Sequence, residues 1–301
     1  MTKPESDHDL GGKKSSEASR REFVALSAAV GLVGVAGVSS AAGQRQVTET
    51  DVEIKTADGT SDAAFIHPAT GSHPGVLLWT DIFGLRPAMR DMGKRLAAEG
   101  YSVLVPNPFY RFTKGAPIAD PSGFNFQEPE ARAKMRQWSE SLHAPGAAEG
   151  DARSYVAFLD AQPQVNKAKK IGTQGYCMGG PLVVITAAQV PERVGAGASF
   201  HGGGLVTDKP DSPHLLAPKI KAQMYFAIAA NDDARQPDAK NQLREAFAAA
   251  KVPAEIEVYS GTLHGWCVPD MPQQDGKPIY NKSDAERAWS KLLSLYRSAL
   301  A

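Results

Sequence analysis

The sequence predicts an α/β protein with a mainly parallel central sheet and helices on both faces. Three observations carry that prediction. Short apolar runs alternate with amphipathic stretches from residue 52 to the C-terminus. The chain is 42% hydrophobic, enough for one large core. No repeat or second core interrupts it, so one domain over residues 43–301 is the economical reading.

The elements follow in order. Val52–Lys55 and Ala63–His67 read as a hairpin around Asp58-Gly59. Val76–Thr80 is a buried strand. Pro87–Glu99 has helical spacing at Met89, Met92 and Leu96, with Gly100 as its stop. Tyr101–Pro106 is the next strand. Lys114–Gly123, rich in Pro, Gly and Asp, is an ordered surface excursion, and residues 114–143 together have the composition of a movable lid. Glu130–His143 and Gly150–Leu159 read as helices. Ile171–Tyr176 is a strand, and Pro181–Ala188 a helix with Pro in its first turn. Gly195–Phe200, Met224–Ala229 and Ile256–Tyr259 complete the strands, with helices at Asp238–Ala250 and Asp284–Ala299.

Composition excludes several classes. Lys+Arg 33 balance Asp+Glu 33, so no basic face is expected for nucleic acid or an anionic membrane. Two cysteines exclude a disulfide scaffold and a Cys-rich zinc module, and no metal or organic cofactor is expected.

Residues 1–42 read as an export signal. Ser19-Arg20-Arg21-Glu22-Phe23 precedes a charge-free run to Ala42 that is too rich in Gly, Ala and Ser for a strong membrane span. A paired Arg before such a run resembles the bacterial twin-arginine signal, and Ser40-Ala41-Ala42 suits signal-peptidase cleavage. The expected partner is the twin-arginine export machinery. The mature chain would be periplasmic or secreted, without a stable membrane span.

The chemistry centres on Gly175-Tyr176-Cys177-Met178-Gly179-Gly180, between an apolar strand and a helix. Small-x-nucleophile-x-small is the pattern of a nucleophile elbow, here with Cys. The tight turn lifts the central side chain above the sheet, and the following helix dipole favours thiolate. The Met178 amide can face a developing oxyanion. In that fold an acid and a His follow the nucleophile. Asn231-Asp232-Asp233 follows one strand and Gly261-Thr262-Leu263-His264-Gly265 the next, which gives Cys177, Asp232 and His264. Asp233 stays open as the acid. His201, just past a strand end, can line the pocket.

These motifs resemble the dienelactone hydrolase family of α/β-hydrolases, which uses a Cys-His-Asp triad. Alongside the elbow, Asp81-Ile82-Phe83-Gly84 with Arg90-Asp91 resembles the family's early Glu-Ile-Phe-Gly stretch, and Pro106-Asn107 with Tyr110-Arg111 resembles the end of its next strand. The resemblance runs from about Val52 to the C-terminus. It implies an oxyanion hole of the Ile82 and Met178 amides, Arg111 holding a substrate carboxylate, and Asp81 pairing with the resting thiol. Three positions depart from the family pattern. Asp81 replaces Glu, Asn107 replaces Asp, and Gly265-Trp266-Cys267-Val268 carries no Arg after the catalytic His. With Trp266, Tyr110, Phe109 and His201, these suggest an apolar, aromatic pocket.

The reading that results is a cysteine-dependent hydrolase of a small-molecule ester or lactone, working through an acyl-enzyme. A thioester or other acyl substrate suits the same triad. The rival from another class is a redox or sensor protein with a Cys177–Cys267 pair.

Overall fold

The computed structural model describes residues 45–142 and 144–301, so the export signal expected at residues 1–42 lies outside the described residues. At the front, β1 (Val47–Thr56) and β2 (Gly59–Pro68) pair antiparallel around Asp58, longer than the apolar runs alone mark them. β2 also pairs antiparallel with β4 (Ser102–Pro106). From β4 onward the sheet is parallel. β3 (Gly75–Trp79), β5 (Ile171–Tyr176), β6 (Val194–Phe200), β7 (Gln223–Ala229) and β8 (Ala254–Tyr259) complete an 8-stranded sheet in the order β1-β2-β4-β3-β5-β6-β7-β8.

Strand side chains alternate between the faces with period two, and each face has its own core. Ile66, Val76, Leu78, Val103 and Val105 meet α1 (Pro87–Ala98) and α7 (Lys282–Ala299) through Met89, Leu96, Leu292 and Tyr296. Phe65, Leu77, Trp79 and Leu104 belong to the opposite core, with Tyr155 and Leu159 of α3 (Ala147–Ala161) and Val183 and Ala187 of α4 (Gly179–Gln189). Phe247 of α6 (Ala239–Ala249) joins that core and packs edge-on against Phe226. Full burial of such side chains is worth about 1.5–3 kcal/mol each, which holds the helices on the sheet.

Four short elements escape the sequence reading, among them the two-residue strands Gln273–Gln274 and Lys277–Pro278, which pair with each other. α5 (Ala230–Arg235) is a short helix directly after β7, and Pro213–Lys219 is a 3-10 helix. α2 (Pro129–Glu140) stops short of the expected His143. Parallel strands place their C-terminal ends along one edge, where the loops after β3, β5, β6, β7 and β8 carry Asp81-Ile82, Cys177, His201, Asp232 and His264.

Candidate active site

The turn after β5 is sterically exacting. Cys177 has φ 53, a left-handed conformation that costs a non-Gly residue strain. A Cβ on Gly175 would stand 2.2 Å from the Gly179 carbonyl oxygen, and one on Gly180 would meet Ser199 Oγ at 2.5 Å. Only glycine lets β5 return into α4 this closely. The turn therefore projects the half-exposed Cys177 side chain at the N-terminus of α4, as the elbow motif predicts.

His264 is positioned by two side chains from α5. Asn231 Oδ1 accepts the His264 backbone N–H at 2.9 Å, and Asp232 Oδ2 accepts from Nδ1 at 2.7 Å. Asp233 instead receives Lys240 Nζ at 2.6 Å, so Asp232 is the carboxylate that faces the imidazole. With Nδ1 engaged, Nε2 is left for the sulfur. Burial disfavours the imidazolium, but the Cys177 sulfur and the Asp232 hydrogen bond outweigh it and push the His264 pKa up to about 10.

His201 lies beside both groups. It has φ 40 and is buried, and the Cys177 backbone N–H donates to its Nδ1 at 3.2 Å. Its ring meets the His264 ring edge-on, with centroids 4.8 Å apart. Burial first, and then the His264 charge, push its pKa well below the ordinary value, so it is neutral with the proton on Nε2. Among the described residues, that buried Nε2 has no partner. His201 thus touches Cys177 and His264 from a buried position rather than lining an open pocket.

Ile82 and Met178, the residues whose amides the family resemblance assigns to an oxyanion hole, come together in space. Both are half-buried against one small apolar cluster of Phe109, Trp138 and Leu142.

Three expectations need correction. Asp81 does not gate the thiol. Its Oδ1 accepts from Arg86 Nη1 at 2.6 Å and from the Phe83 amide at 3.0 Å, and Oδ2 accepts from Arg86 Nη2 at 2.9 Å. Arg86 also donates to Asp270 through Nε and Nη2, both at 2.7 Å. Burial opposes the Arg86 charge, yet the two carboxylates raise its pKa and hold it protonated.

Arg111 has no fork to offer a substrate. Nε and Nη2 bond Asp58, and Nη1 and Nη2 bond the buried Asp151 at 2.8 Å each. The Tyr110 hydroxyl joins the same group, donating to Asp151 Oδ1 at 2.9 Å and sharing a 2.7 Å bond with Thr56. These two residues tie the β1–β2 hairpin to α3.

Trp266 is core. It is fully buried and stacks on Tyr259, with centroids 4.3 Å apart. A loop residue has no periodicity to betray its direction, so sequence could not distinguish pocket from interior.

The cysteines are free thiols in different surroundings. Cys267 is buried in the α1/α7 core and walls a cavity of about 460 Å³ with Tyr176, Phe200 and Trp289. Burial raises its thiol pKa well above the ordinary value, which suits an inert side chain.

Sequence reasoning also missed Asn231, Arg86 and Asp270. Only the run Asn231-Asp232-Asp233 offered a signal, as a polar cluster after a strand.

Comparison with known proteins supports the same grouping. The model of the dienelactone hydrolase family matches residues 62–300. A carboxymethylenebutenolidase of Rhodococcus opacus is 29% identical over 211 residues, covering 69% of this chain and 77% of its own. Among solved structures, m3DLH superposes with a TM-score of 0.70 at 22% identity, covering 85% of this chain and 99% of its own. The dienelactone hydrolase-like promiscuous phosphotriesterase P91, from metagenomic libraries, superposes with a TM-score of 0.67 at 18% identity over 85% of this chain and 99% of its own. At these identities the superpositions show the shared α/β-hydrolase fold.

Proposed function

This chain belongs to the dienelactone hydrolase family and is a carboxylic ester hydrolase, and we propose that it works through a Cys177–His264–Asp232 triad and an acyl-enzyme. The observation that carries the proposal is His264, bonded to Asp232 through Nδ1 and packed on His201, whose own Nδ1 accepts the backbone N–H of the strained Cys177.

The thiolate attacks the ester or lactone carbonyl. A carbon–sulfur bond forms, and the carbonyl π pair moves onto oxygen, between the Ile82 and Met178 amides. Collapse breaks the carbon–oxygen bond, and the alkoxide leaves with the proton of the His264 imidazolium. Neutral His264 then takes a proton from water as the hydroxide attacks the thioester. The second collapse releases the acid and restores the thiolate. Asp232 holds the tautomer throughout and stabilises the imidazolium. A thioester substrate would follow the same steps with a thiolate leaving group.

Residues 1–42 fit a twin-arginine signal, so the functional form in this reading is residues 43–301, outside the cytoplasm.

The test is a screen of lactones, aryl esters and thioesters with a Cys177→Ser control. Turnover of esters or lactones that falls by several orders of magnitude in the variant supports the proposal. Undiminished turnover in the variant contradicts it.

A further inference from the structure

Resting on the triad reading above, we infer that the acyl group of the substrate is uncharged and apolar, selected by α2 and the segment before it. The juxtaposition is specific. Ile82 and Met178, which flank the reacting carbonyl in that reading, pack on Phe109, Trp138 and Leu142. Met135 and Phe124 reach the same cluster and are half-exposed. Met135 and Trp138 of α2 share a face, with Leu142 just past the helix end in the same cluster, so α2 turns its apolar stripe toward the elbow. An acyl group on the Cys177 sulfur, with its oxygen held by the two amides, has these side chains as neighbours.

Charge gives the second half of the argument. Arg132, Lys134 and Arg136 of α2 are exposed, off that stripe. Arg111 is held by Asp58 and Asp151. The Arg86 side chain is 0% exposed between Asp81 and Asp270. Arg235 pairs with Asp232, on the Nδ1 side of His264, and Lys240 with Asp233. Among the described residues no Lys or Arg at this cluster is free to pair with a carboxylate on the acyl chain, which would lose water here, and that is costly. An alkyl chain would gain from each methylene buried.

The experiment compares kcat/KM of the full protein for p-nitrophenyl hexanoate and the p-nitrophenyl monoester of adipic acid, chains of equal length that differ in a terminal carboxylate. The expected result is a preference for hexanoate of at least about tenfold near neutral pH. From acetate to hexanoate, kcat/KM should rise by up to about fourfold per buried methylene. Met135→Arg should shift the ratio toward the anionic ester, and because both esters are read on one sample, partial misfolding cannot mimic that shift. Equal or better hydrolysis of the anionic ester, with Cys177→Ser inactive, would overturn this inference and leave the triad reading standing. Failure to hydrolyse any ester would overturn both.

Discussion

His264 Nδ1 lies 2.7 Å from Asp232 Oδ2, whereas the neighbouring Asp233 is paired with Lys240. Adjacent residues of α5 therefore divide the roles, one carboxylate orienting the imidazole and the next anchoring a helix. Asp232→Asn should lower kcat by about 10⁴-fold, the size of the effect of losing a triad carboxylate. Asp233→Asn should change kcat by less than about threefold, as a surface ion pair contributes about 0–1 kcal/mol. Steady-state kinetics of the two variants decides the assignment.

The pH profile provides an independent check. His264 is pushed up to about 10, against its burial, by Cys177 and Asp232. A raised pKa means that the imidazolium persists through neutral pH and is lost only as pH rises through that value. The alkaline limb of kcat/KM should then lie near 10 rather than near the ordinary value for histidine, 6.5. In Asp232→Asn one of the raising interactions is gone, so the limb should move to lower pH.

Arg86 joins the segment that carries Ile82 to the loop that follows His264, through Asp81 and Asp270. Replacing Arg86 by Met leaves Asp81 buried without its partner, at a cost of about 3–5 kcal/mol. At roughly 2–4 °C per kcal/mol for a domain of this size, thermal unfolding should occur about 6–20 °C lower. The double variant Arg86→Met/Asp81→Asn should recover part of that loss, because the orphan charge is gone. Calorimetry of both variants measures it.

Export makes a separate prediction. Arg20→Lys/Arg21→Lys in the full chain should hold the precursor in the cytoplasm with activity retained in the lysate. Fractionation with a precursor-sized band reads the result. Unchanged appearance outside the cytoplasm would remove the twin-arginine assignment.

Much of this architecture is legible in the residues themselves. Gly175-Tyr176-Cys177-Met178-Gly179-Gly180 announces the elbow because a Cβ on Gly175 would strike the Gly179 carbonyl of α4 and one on Gly180 would strike Ser199 of β6. Asp232 and His264 follow from chain order, since strand ends mark where the sheet edge must be. Partners distant in sequence are harder to see. Arg86 and Asp270 are separated by 184 positions, and neither lies in a motif. Arg111 and Tyr110 sit where the family resemblance implies substrate contacts, but Asp58 and Asp151 redirect them. Those carboxylates carry no signal until the hairpin and α3 are assembled.

The most direct measurement is mass spectrometry of protein quenched during turnover of a slowly deacylating aryl ester. The account predicts one acyl increment per chain, located on Cys177 and absent from Cys177→Ala. An increment on any other residue, or full turnover by Cys177→Ala, would contradict it.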